Sequence, residues 1–314
     1  MKKEYIGIEI GGSKQQAASF DENGNLIKKY SERVKLVRGA ADILDWFSGV
    51  IPDLINDRTV GLGVGFGGII DSASGESYCS VHVDGWNKFP IKKYFEKTYS
   101  IKTTVVNDTV SGGYAELLFG AGVGVERFFY TNIGTGCGGG MFISGKSYDG
   151  LGTGAAYHGQ TYVPSWDKAG EAIRMEEICS GRSIERRLRR EGYVPENSMM
   201  YDICSGNVEK LSCKDWGKAI YAGDKFALSE LERWAKSYSI ALSSFITLLA
   251  PEKIAIGGGV SMIGEPIFEA IRRHTDELIF VSMKDKYEIV PCQTEELAVL
   301  LGSAMYARDG FKTT

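Results

Sequence analysis

Three short glycine-rich stretches carry residue types that bind phosphate groups. The first, IEIGGSK, follows its glycines with the Ser13 hydroxyl and the Lys14 cation. The second, NIGTGCGGG, has Thr135 between two glycines, and the third is IAIGGGV over residues 254–260. Glycine lets the backbone approach phosphate closely, and the N–H groups of a turn or helix N-terminus attract its charge. The predicted nucleotide-binding residues are Gly11, Gly12, Ser13, Lys14, Gly134, Thr135, Gly136, Gly257, Gly258 and Gly259.

Other nucleotide-binding motifs fit the sequence less well. A single glycine turn between strands is often only structural, so the prediction depends on the three loops together. GVGFGG at 63–68 is similar to a dinucleotide fingerprint, but its spacing is G-x-G-x-G-G rather than G-x-G-x-x-G, and no acidic residue is expected about twenty positions on at a strand end in a βαβ setting. A GxxxxGK[ST] motif is absent from the sequence, which argues against a P-loop enzyme.

The elements around the first two loops repeat. Three strands are predicted, at residues 5–10, 14–20 and 25–30. A glycine turn joins the first to the second, and a tight turn joins the second to the third. Residues 127–149 show the same order about 120 residues later, with RFFYTNI, GTGCGG, GMFIS and SYD. Chance rarely repeats both the glycine placement and the strand order, so the pattern indicates an internal duplication.

The rest of the chain alternates strands with helices. Buried strands are predicted at 59–66 and 103–107. Helices are predicted at 40–57, 90–99, 109–121, 171–191, 224–250, from about 264, and at 295–308. This alternation predicts an α/β protein with sheets covered on both faces.

Composition limits the function classes. A chain of 314 residues suits two domains, and a net charge of −4 gives no reason to expect a nucleic-acid partner. The start, MKKEYIGIEIGG, reads as a strand rather than a signal peptide, and no apolar run reaches about 18 residues, so no membrane span is expected. The six cysteines lack C-x-x-C spacing, which indicates free thiols and a cytoplasmic protein.

Several motifs together resemble the ROK family (repressors, open reading frames and sugar kinases) of the actin/hexokinase-like superfamily. IEIGGSK looks like the family's D-I-G-G-T-K, and GVGFGGIIDSASG looks like G-x-G-x-P-G-x-x-D…G. WNKFPI, VVNDTVSGGYAE, NIGTGCGGGMFISGK, MEEICSGRSIERR, AGDKFAL and PEKIAIGGGVS match further family motifs. The match runs over nearly the whole chain. The family's repressors carry an N-terminal helix-turn-helix, for which no room is expected before the strand at about residue 5.

The resemblance implies a fold and a domain organisation. It implies a two-lobed, actin-like (ribonuclease H-like) α/β ATPase fold with a duplicated domain and an interdomain cleft. The expected N-terminal lobe is 1–108, with a C-terminal helix at about 295–314 packing back on it, and the expected C-terminal lobe is 109–294. The lobes are expected to close over sugar and ATP, since excluding water protects the γ-phosphate from hydrolysis. The family usually forms dimers, so a homodimer is expected.

The resemblance also implies site residues. Asp108 would be the catalytic general base that takes the proton from the sugar hydroxyl as it attacks the γ-phosphate of ATP. Gly68, Asn107, His158 and Glu176 would bind the sugar with Asp108, because its hydroxyls need polar partners. All of these residues except Gly68 have a plainer alternative: Asn107-Asp108 as a helix N-cap, His158 as a structural histidine, and Glu176 as an exposed helix carboxylate.

The sequence departs from the family pattern at four places. The segment GQTYVPSWDKAGEAIRM lacks the family's zinc-binding cysteines, so no zinc is expected. The family's A-G-E-x-G-H reads TGAAYH, which puts Ala155 where a sugar-binding glutamate is usual and Tyr157 where a glycine is usual. The aspartate of the first loop is Glu9, which is expected to act indirectly on Mg²⁺, and His82 replaces an asparagine near the cleft tryptophan.

Three functions are therefore considered. The leading hypothesis is a sugar kinase, an enzyme that transfers phosphate from ATP with Mg²⁺ to a hydroxyl of a hexose or amino sugar. The second is a catalytically impaired sensor of sugar or nucleotide, motivated by Ala155 and Glu9. The third, an actin-like or chaperone-like ATPase, is less favoured because the long insertions of those proteins are missing. The sequence does not identify the sugar, the hydroxyl or the pathway.

Overall fold

The computed structural model describes residues 2–34, 38–80 and 83–314. His82, one of the departures from the family pattern, lies outside these residues. The strands are β1 (Glu4–Ile10), β2 (Lys14–Asp21), β3 (Leu26–Arg33), β4 (Thr59–Phe66), β5 (Ile69–Asp71), β6 (Glu76–Cys79), β7 (Thr103–Asn107), β8 (Arg127–Asn132), β9 (Gly139–Ile143), β10 (Lys146–Ser147), β11 (Tyr162–Pro164), β12 (Ala172–Arg174), β13 (Lys253–Gly257) and β14 (Glu288–Pro291). The α-helices are α1 (Ala40–Val50), α2 (Ile91–Tyr99), α3 (Asp108–Phe119), α4 (Met175–Cys179), α5 (Gly181–Leu188), α6 (Met199–Ile203), α7 (Cys213–Tyr221), α8 (Lys225–Leu249), α9 (Glu265–Leu278) and α10 (Ala298–Asp309).

Two five-stranded sheets have equivalent strand orders. The first runs β3-β2-β1-β4-β7, and the second runs β10-β9-β8-β13-β14. In the first sheet β1, β2 and β3 are antiparallel neighbours, whereas β1, β4 and β7 are parallel. In the second sheet β9 and β10 pair antiparallel, and β13 and β14 pair parallel. The matching orders agree with the duplication that the two glycine turns indicate.

The chain divides into two compact units, each defined by the contacts among its own residues. Unit A comprises Met1–Tyr130, Gly140–Ala156 and Cys292–Thr314, and unit B comprises Thr131–Gly139 and Tyr157–Pro291. The domain boundary expected at residue 108 from the sequence stays a prediction.

In unit A, helix α10 lies directly on the first sheet. A Cβ atom at Gly7 of β1 would overlap the carbonyl oxygen of Leu300, and one at Gly63 of β4 would overlap that of Ser303. Gly302 in turn lets α10 approach the backbone of α3. Glycine at these positions sets the distance between sheet and helices, and so fixes where the carboxyl ends of β1 and β4 lie relative to α3.

The helix expected over 171–191 is wrong. Residues 172–174 form β12, which pairs with β11 in the register Tyr162↔Arg174, and two separate helices follow. Ser180 breaks the helical path with φ −66° and ψ 153°, and its hydroxyl accepts a hydrogen bond from the Ser183 N–H at the start of α5. Local helical periodicity is overridden here by strand pairing and by a capping serine.

The core of unit B surrounds the long helix α8. Trp234 stacks on Tyr238 with ring centroids 5.5 Å apart and meets the edge of Trp216 at 6.0 Å. All three side chains are buried. Helix α8 therefore presents an aromatic face to the segments that pack on it. Within the described ranges, no helix is both long enough and apolar enough to span a membrane.

Candidate active site

Unit A brings the first glycine turn, the turn after β4 and the start of α3 together. Gly67 donates its backbone N–H to the carbonyl oxygen of Ile10 over 2.8 Å. A Cβ atom at Gly67 would lie 3.3 Å from Oδ2 of Asp108 and 3.5 Å from Cα of Gly11. The Asp108 carboxylate, expected to be the general base, therefore lies beside the first predicted phosphate loop.

The pKa of the Asp108 carboxyl is raised to about 7. Burial is the largest cause, because it disfavours the charged form, and the negative charge of Glu9 adds to it. The Thr109 N–H donates to Oδ1 over 2.8 Å, which stabilises the ionised form and partly opposes these effects. A carboxyl with a pKa near neutrality can accept a proton effectively at cellular pH.

Glu9 is the second acid beside this turn. Burial raises its pKa, and the Lys14 ammonium, 3.8 Å from Oε2, lowers it in part. Gln16 donates from Nε2 to Oε2 of Glu9 over 2.5 Å. We refer to Glu9 and Asp108 as the acid pair. The pair is only partly held by hydrogen bonds, so both carboxylates can still take a cation or a proton.

Asn107 positions the start of α3. Its side-chain oxygen accepts the N–H groups of Thr109 at 2.9 Å and Val110 at 3.3 Å, and is thus the N-cap of the helix. Its amide Nδ2 donates to the carbonyl oxygen of Gly68 over 3.1 Å. The N-cap alternative is therefore correct for Asn107, and a second amide hydrogen remains for a ligand.

Two tight turns in unit A need glycine. A Cβ atom at Gly68 would come within 2.6 Å of the Cys79 carbonyl oxygen. At Gly11 it would come within 2.7 Å of the Lys14 carbonyl oxygen, to which the Gly11 N–H donates over 3.1 Å. Ser13, which follows Gly12 in this turn, is exposed. The loop tip thus leaves Gly12 and Ser13 accessible to a phosphate.

Unit B joins the second and third glycine loops through one residue. The N–H of Ile133 donates to the Gly257 carbonyl oxygen over 2.8 Å, and its carbonyl oxygen accepts the Val260 N–H over 3.1 Å. Gly258 has φ +88°, and a Cβ atom there would lie 2.6 Å from the Ile133 backbone. The predicted loops at 134–136 and 257–259 are therefore neighbours.

Glu176 holds the second loop. Its Oε2 accepts the backbone N–H of Cys137 over 3.3 Å and would lie 3.0 Å from a Cβ atom at Gly136. Its Oε1 accepts Nε2 of Gln160 over 2.6 Å. Glu176 is half-buried, so the alternative of an exposed helix carboxylate is wrong. Its sugar-binding role stays a prediction.

The same loop is braced by backbone bonds. Gly134 donates to the Gly136 carbonyl oxygen over 2.9 Å and accepts the Gly181 N–H of α5 over 2.7 Å. Thr135 lies at the tip, between these two glycines. The first turn of α5 is thereby fixed against the loop.

His158 lies in the core of unit B. Its ring is fully buried and meets Tyr238 edge-on at 5.0 Å and Phe245 at 6.0 Å between centroids. Burial lowers the pKa of the imidazole to about 3, so the ring is neutral at physiological pH. This packing agrees with the alternative that His158 is a structural histidine. Its sugar-binding role stays a prediction.

The two departures beside His158 lie on the segment leading to it. Ala155 is half-buried, and its Cβ would lie 3.2 Å from a Cβ atom at Gly150. Tyr157 accepts the Gln160 N–H through its carbonyl oxygen over 2.9 Å and so begins the 3₁₀ turn His158–Gln160. Within residues 2–34, 38–80 and 83–314, no three His, Cys, Asp or Glu side chains are grouped as metal ligands.

Three polar residues near the site were missed from the sequence. Gln16 faces Glu9 directly in the β1–β2 register, which the short turn at 11–13 could have indicated. Gln160 carried no signal, because its partner Glu176 is distant in sequence. Buried Glu116 accepts the N–H groups of Ala121 at 2.9 Å and Gln293 at 2.7 Å, which ties the C-terminal segment to α3 within unit A.

Comparison with known proteins adds relatives along the whole chain. A glucokinase of Thermotoga maritima is 28% identical over 312 residues, which cover 98% of both chains. An N-acetyl-D-glucosamine kinase of Pasteurella multocida is 27% identical over 84% of this chain and 86% of the relative. The crystal structure of a ROK family glucokinase from Streptomyces griseus with glucose and AMPPNP superposes with a TM-score of 0.85 at 26% identity, covering 98% of this chain and 100% of that one.

The fold and the family expected from the sequence are confirmed. The superposition on the Streptomyces griseus glucokinase identifies the actin-like α/β fold. The model of the ROK family matches residues 5–310. The chain therefore belongs to the ROK family.

Proposed function

We propose that this protein is an ATP-dependent sugar kinase that phosphorylates a hydroxyl of a hexose or amino sugar. The observation that carries the proposal is Asp108, a half-buried carboxyl with a pKa of about 7 beside the first glycine turn. The relatives of this protein include glucokinases and an N-acetyl-D-glucosamine kinase, and one structural neighbour was solved in complex with glucose and AMPPNP, an ATP analogue. These relatives support the substrate class but do not distinguish between hexose and amino sugar.

Asp108 is proposed to act as the general base. Its carboxylate accepts the proton of the sugar hydroxyl while the hydroxyl oxygen bonds to the γ-phosphorus and the bond from that phosphorus to the bridging oxygen of ADP breaks. The N-cap Asn107 fixes the start of α3 and so fixes the carboxylate. Position matters here, because phosphoryl transfer depends mainly on alignment and charge stabilisation.

The glycine loops are proposed to hold the nucleotide. In unit A the Ser13 hydroxyl, the Lys14 ammonium and the Gly12 N–H would face phosphate oxygens, and Gly11, whose own N–H donates to the Lys14 carbonyl oxygen, would let the backbone approach them closely. In unit B the joined loops Gly134, Thr135, Gly136 and Gly257, Gly258, Gly259 would face the phosphates and the adenosine. The support is the close packing of the two loops on Ile133, which leaves no room for side chains at Gly258.

The acid pair fits a magnesium ion. Mg²⁺ is usually held by one or two carboxylates together with substrate phosphates and water. The raised pKa values of Glu9 and Asp108 indicate carboxylates that a nearby cation would stabilise in the ionised form. When bound, Mg²⁺ would neutralise part of the negative charge on the transferred phosphate. Glu9 is the residue proposed to act on it, indirectly through water.

The sugar-binding residues are proposed to be Gly68, Asn107, Asp108, His158 and Glu176. Asn107 supports this role with an amide hydrogen that its known bonds leave over. Glu176 supports it with a carboxylate whose position Cys137 and Gln160 fix. The departures Ala155 and Glu9 motivate the sensor alternative, but the pKa of Asp108 and the kinase relatives favour catalysis.

We also propose a cytoplasmic homodimer without zinc and without a nucleic-acid partner. The net charge of −4 gives no reason to expect a nucleic-acid partner. The six cysteines are all free thiols, which indicates the cytoplasm. The homodimer is inferred from the family. Light scattering after size-exclusion chromatography measures the mass of the assembly. A monomer at micromolar concentration would contradict the dimer.

A coupled assay of ADP release tests the kinase proposal. Purified protein with ATP and Mg²⁺ is offered hexoses, N-acetylhexosamines and ketoses, and turnover is expected with at least one of them. Asp108→Ala is the inactive control, and thermal stabilisation by AMPPNP shows that the variant still folds and binds nucleotide. Stabilisation by a sugar without turnover on the whole panel would favour the sensor instead.

A further inference from the structure

Unit B contains a cavity outside the predicted sugar and nucleotide residues. Its volume is about 290 Å³. It lies between the β11–β12 connection, helix α5 and helix α8. Its lining includes Ser165, Trp166 and the four arginines Arg186, Arg187, Arg190 and Arg233. We call it the arginine pocket.

Trp166 organises two of the arginines. Its ring centroid lies 4.4 Å from the guanidinium carbon of Arg187 and 4.3 Å from that of Arg233. The indole Nε1 donates to Oγ of Ser237 on α8 over 2.8 Å, which fixes the ring. Stacking on an aromatic face holds a guanidinium group in place while leaving its N–H edges free to donate.

Arg187 still has hydrogen-bonding capacity. It donates from Nε to Glu230 over 2.5 Å and from Nη1 to the Ile178 carbonyl oxygen over 3.0 Å. Its Nη2 is buried and has no hydrogen-bond partner among the described residues. Buried donors in folded proteins nearly always have a partner, so an unpaired nitrogen on a residue that lines the cavity points to a ligand.

Four arginines and two carboxylates, Asp167 and Glu177, line the pocket, so its lining is positive overall. Glu230 is already used by Arg187 and by the Tyr193 hydroxyl, which donates to it over 2.6 Å. Arg190 is 3.9 Å from Asp167, a long contact between exposed side chains. Arg233 makes no ion pair with any carboxylate in the part of the chain that the structure describes. Guanidinium groups that are poorly neutralised favour a ligand with concentrated negative charge.

The size of the pocket and its apolar wall narrow the ligand further. Its volume corresponds to about ten water molecules at the share of each in the liquid, more than a bare phosphate ion occupies. Ile173, Ile178 and Tyr193 supply apolar surface beside the arginines. We propose that the arginine pocket binds a phosphate monoester of a small organic molecule, with the phosphate on the guanidinium groups and the organic part against the apolar wall.

The site is independent of the proposed kinase chemistry. None of its lining residues is a predicted sugar or nucleotide residue. It is nonetheless connected to them, because β12 runs from the pocket directly into α4, where Glu176 lies. The Met175 N–H also donates to the Thr161 carbonyl oxygen over 2.8 Å, which joins both ends of the hairpin next to the 3₁₀ turn of His158.

Calorimetric titration of the full-length protein tests the proposal. Glucose 6-phosphate, inorganic phosphate and glucose are titrated separately, with saturating AMPPNP and glucose present so that the proposed active site is filled. Glucose 6-phosphate is expected to bind, more tightly than inorganic phosphate, and added glucose should give no signal. Binding of inorganic phosphate as tight as that of the ester, or no binding of the ester up to roughly 10 mM, would overturn the proposal.

Variants assign the binding to the pocket. Arg190→Gln, at a side chain that is 55% exposed, and Arg233→Gln should each weaken ester binding about tenfold or more, because each removes a charged donor. Arg182→Gln removes the same charge from an exposed position of α5 outside the pocket and should leave binding unchanged. Circular dichroism confirms folding, and an equal loss in Arg182→Gln, or no loss in Arg190→Gln, would contradict the assignment.

Discussion

In unit A the acid pair is half-buried and only partly hydrogen-bonded, whereas in unit B Glu176 is hydrogen-bonded to Cys137 and Gln160, and His158 is enclosed by aromatic rings. Burial and the charge of Glu9 raise the pKa of Asp108 to about 7, while burial alone lowers that of His158 to about 3. One unit thus has a group that titrates near neutrality. The other has a histidine that burial keeps neutral and a carboxylate whose position two hydrogen bonds fix.

This difference separates two kinds of contribution to catalysis. A group that exchanges a proton must have both charge states accessible, which Asp108 has. A group that shapes a loop or a wall needs a fixed position or a single charge state: hydrogen bonds to Cys137 and Gln160 fix the position of Glu176, and burial keeps His158 neutral. We therefore expect substitutions in unit A to change the rate and its pH dependence, and substitutions in unit B to change binding or stability.

Asp108→Asn should give the largest effect. The amide keeps the size of the side chain but cannot accept the proton, so kcat is expected to fall by roughly 10²–10⁴-fold. Steady-state kinetics with the best sugar of the panel measures it, and the Kd for AMPPNP should change little. A kcat within about threefold of the native value would mean that another group takes the proton.

Glu176→Ala should produce a smaller effect of a different kind. It leaves the N–H of buried Cys137 without its acceptor, which costs about 1–3 kcal/mol, whereas the exposed Gln160 amide can donate to water instead. We expect the KM for sugar or ATP to rise roughly 5–100-fold, with a weaker effect on kcat. Glu177→Ala, at the exposed neighbouring position, is the control. A selective fall in kcat would place Glu176 with the acid pair instead.

The pH profile distinguishes the units further. Because Asp108 must be ionised to accept a proton, kcat/KM should decline as pH falls through about 7, the raised pKa of the folded protein. Glu9→Gln removes a negative charge that raises this pKa, so the acidic limb should move to lower pH. The rate itself should also fall if Glu9 acts on Mg²⁺. A limb that stays in place would show that the two carboxylates are not coupled.

The sequence predicted the loops but not the state of the residues around them. Glycine spacing and strand order are local patterns, so the turns at 11–14, 134–136 and 257–259 could be located in advance. The register that pairs Glu9 with Gln16 was also within reach, since a short hairpin fixes it. Which nitrogen donates to Glu176, and how deeply His158 is buried, depend on residues far apart in sequence.

The error at 171–191 has the same origin. The helical pattern of residues 171–191 favoured one continuous helix. In the structure, Arg174 pairs with Tyr162 in a strand, and the extended backbone of Ser180 separates α4 from α5. Both causes involve tertiary partners or a specific backbone angle rather than composition. This segment leads to Glu176, so the orientation of its carboxylate could not be predicted from periodicity.

His158→Phe should give the smallest effect and decides between the two interpretations of this residue. A ring of similar size in the same aromatic surroundings is expected to change stability at neutral pH by less than about 1.5 kcal/mol. If His158 acts through packing, the KM for sugar should stay within about threefold of the native value. A rise of about tenfold or more would support the direct sugar contact that the sequence predicted.

Acid unfolding provides the second readout for the same variant. In the folded protein the pKa of His158 is lowered to about 3. In the unfolded chain the imidazole has its ordinary pKa of 6.5 and takes up a proton below that pH. The stability that the neutral ring contributes is therefore complete above pH 6.5 and is lost as pH falls towards 3. Phenylalanine removes this dependence, so the variant should unfold at lower pH than the native protein, by circular dichroism. An unchanged acid midpoint would mean that His158 is not held neutral by burial, and the contrast between the two units would then rest on Glu176 alone.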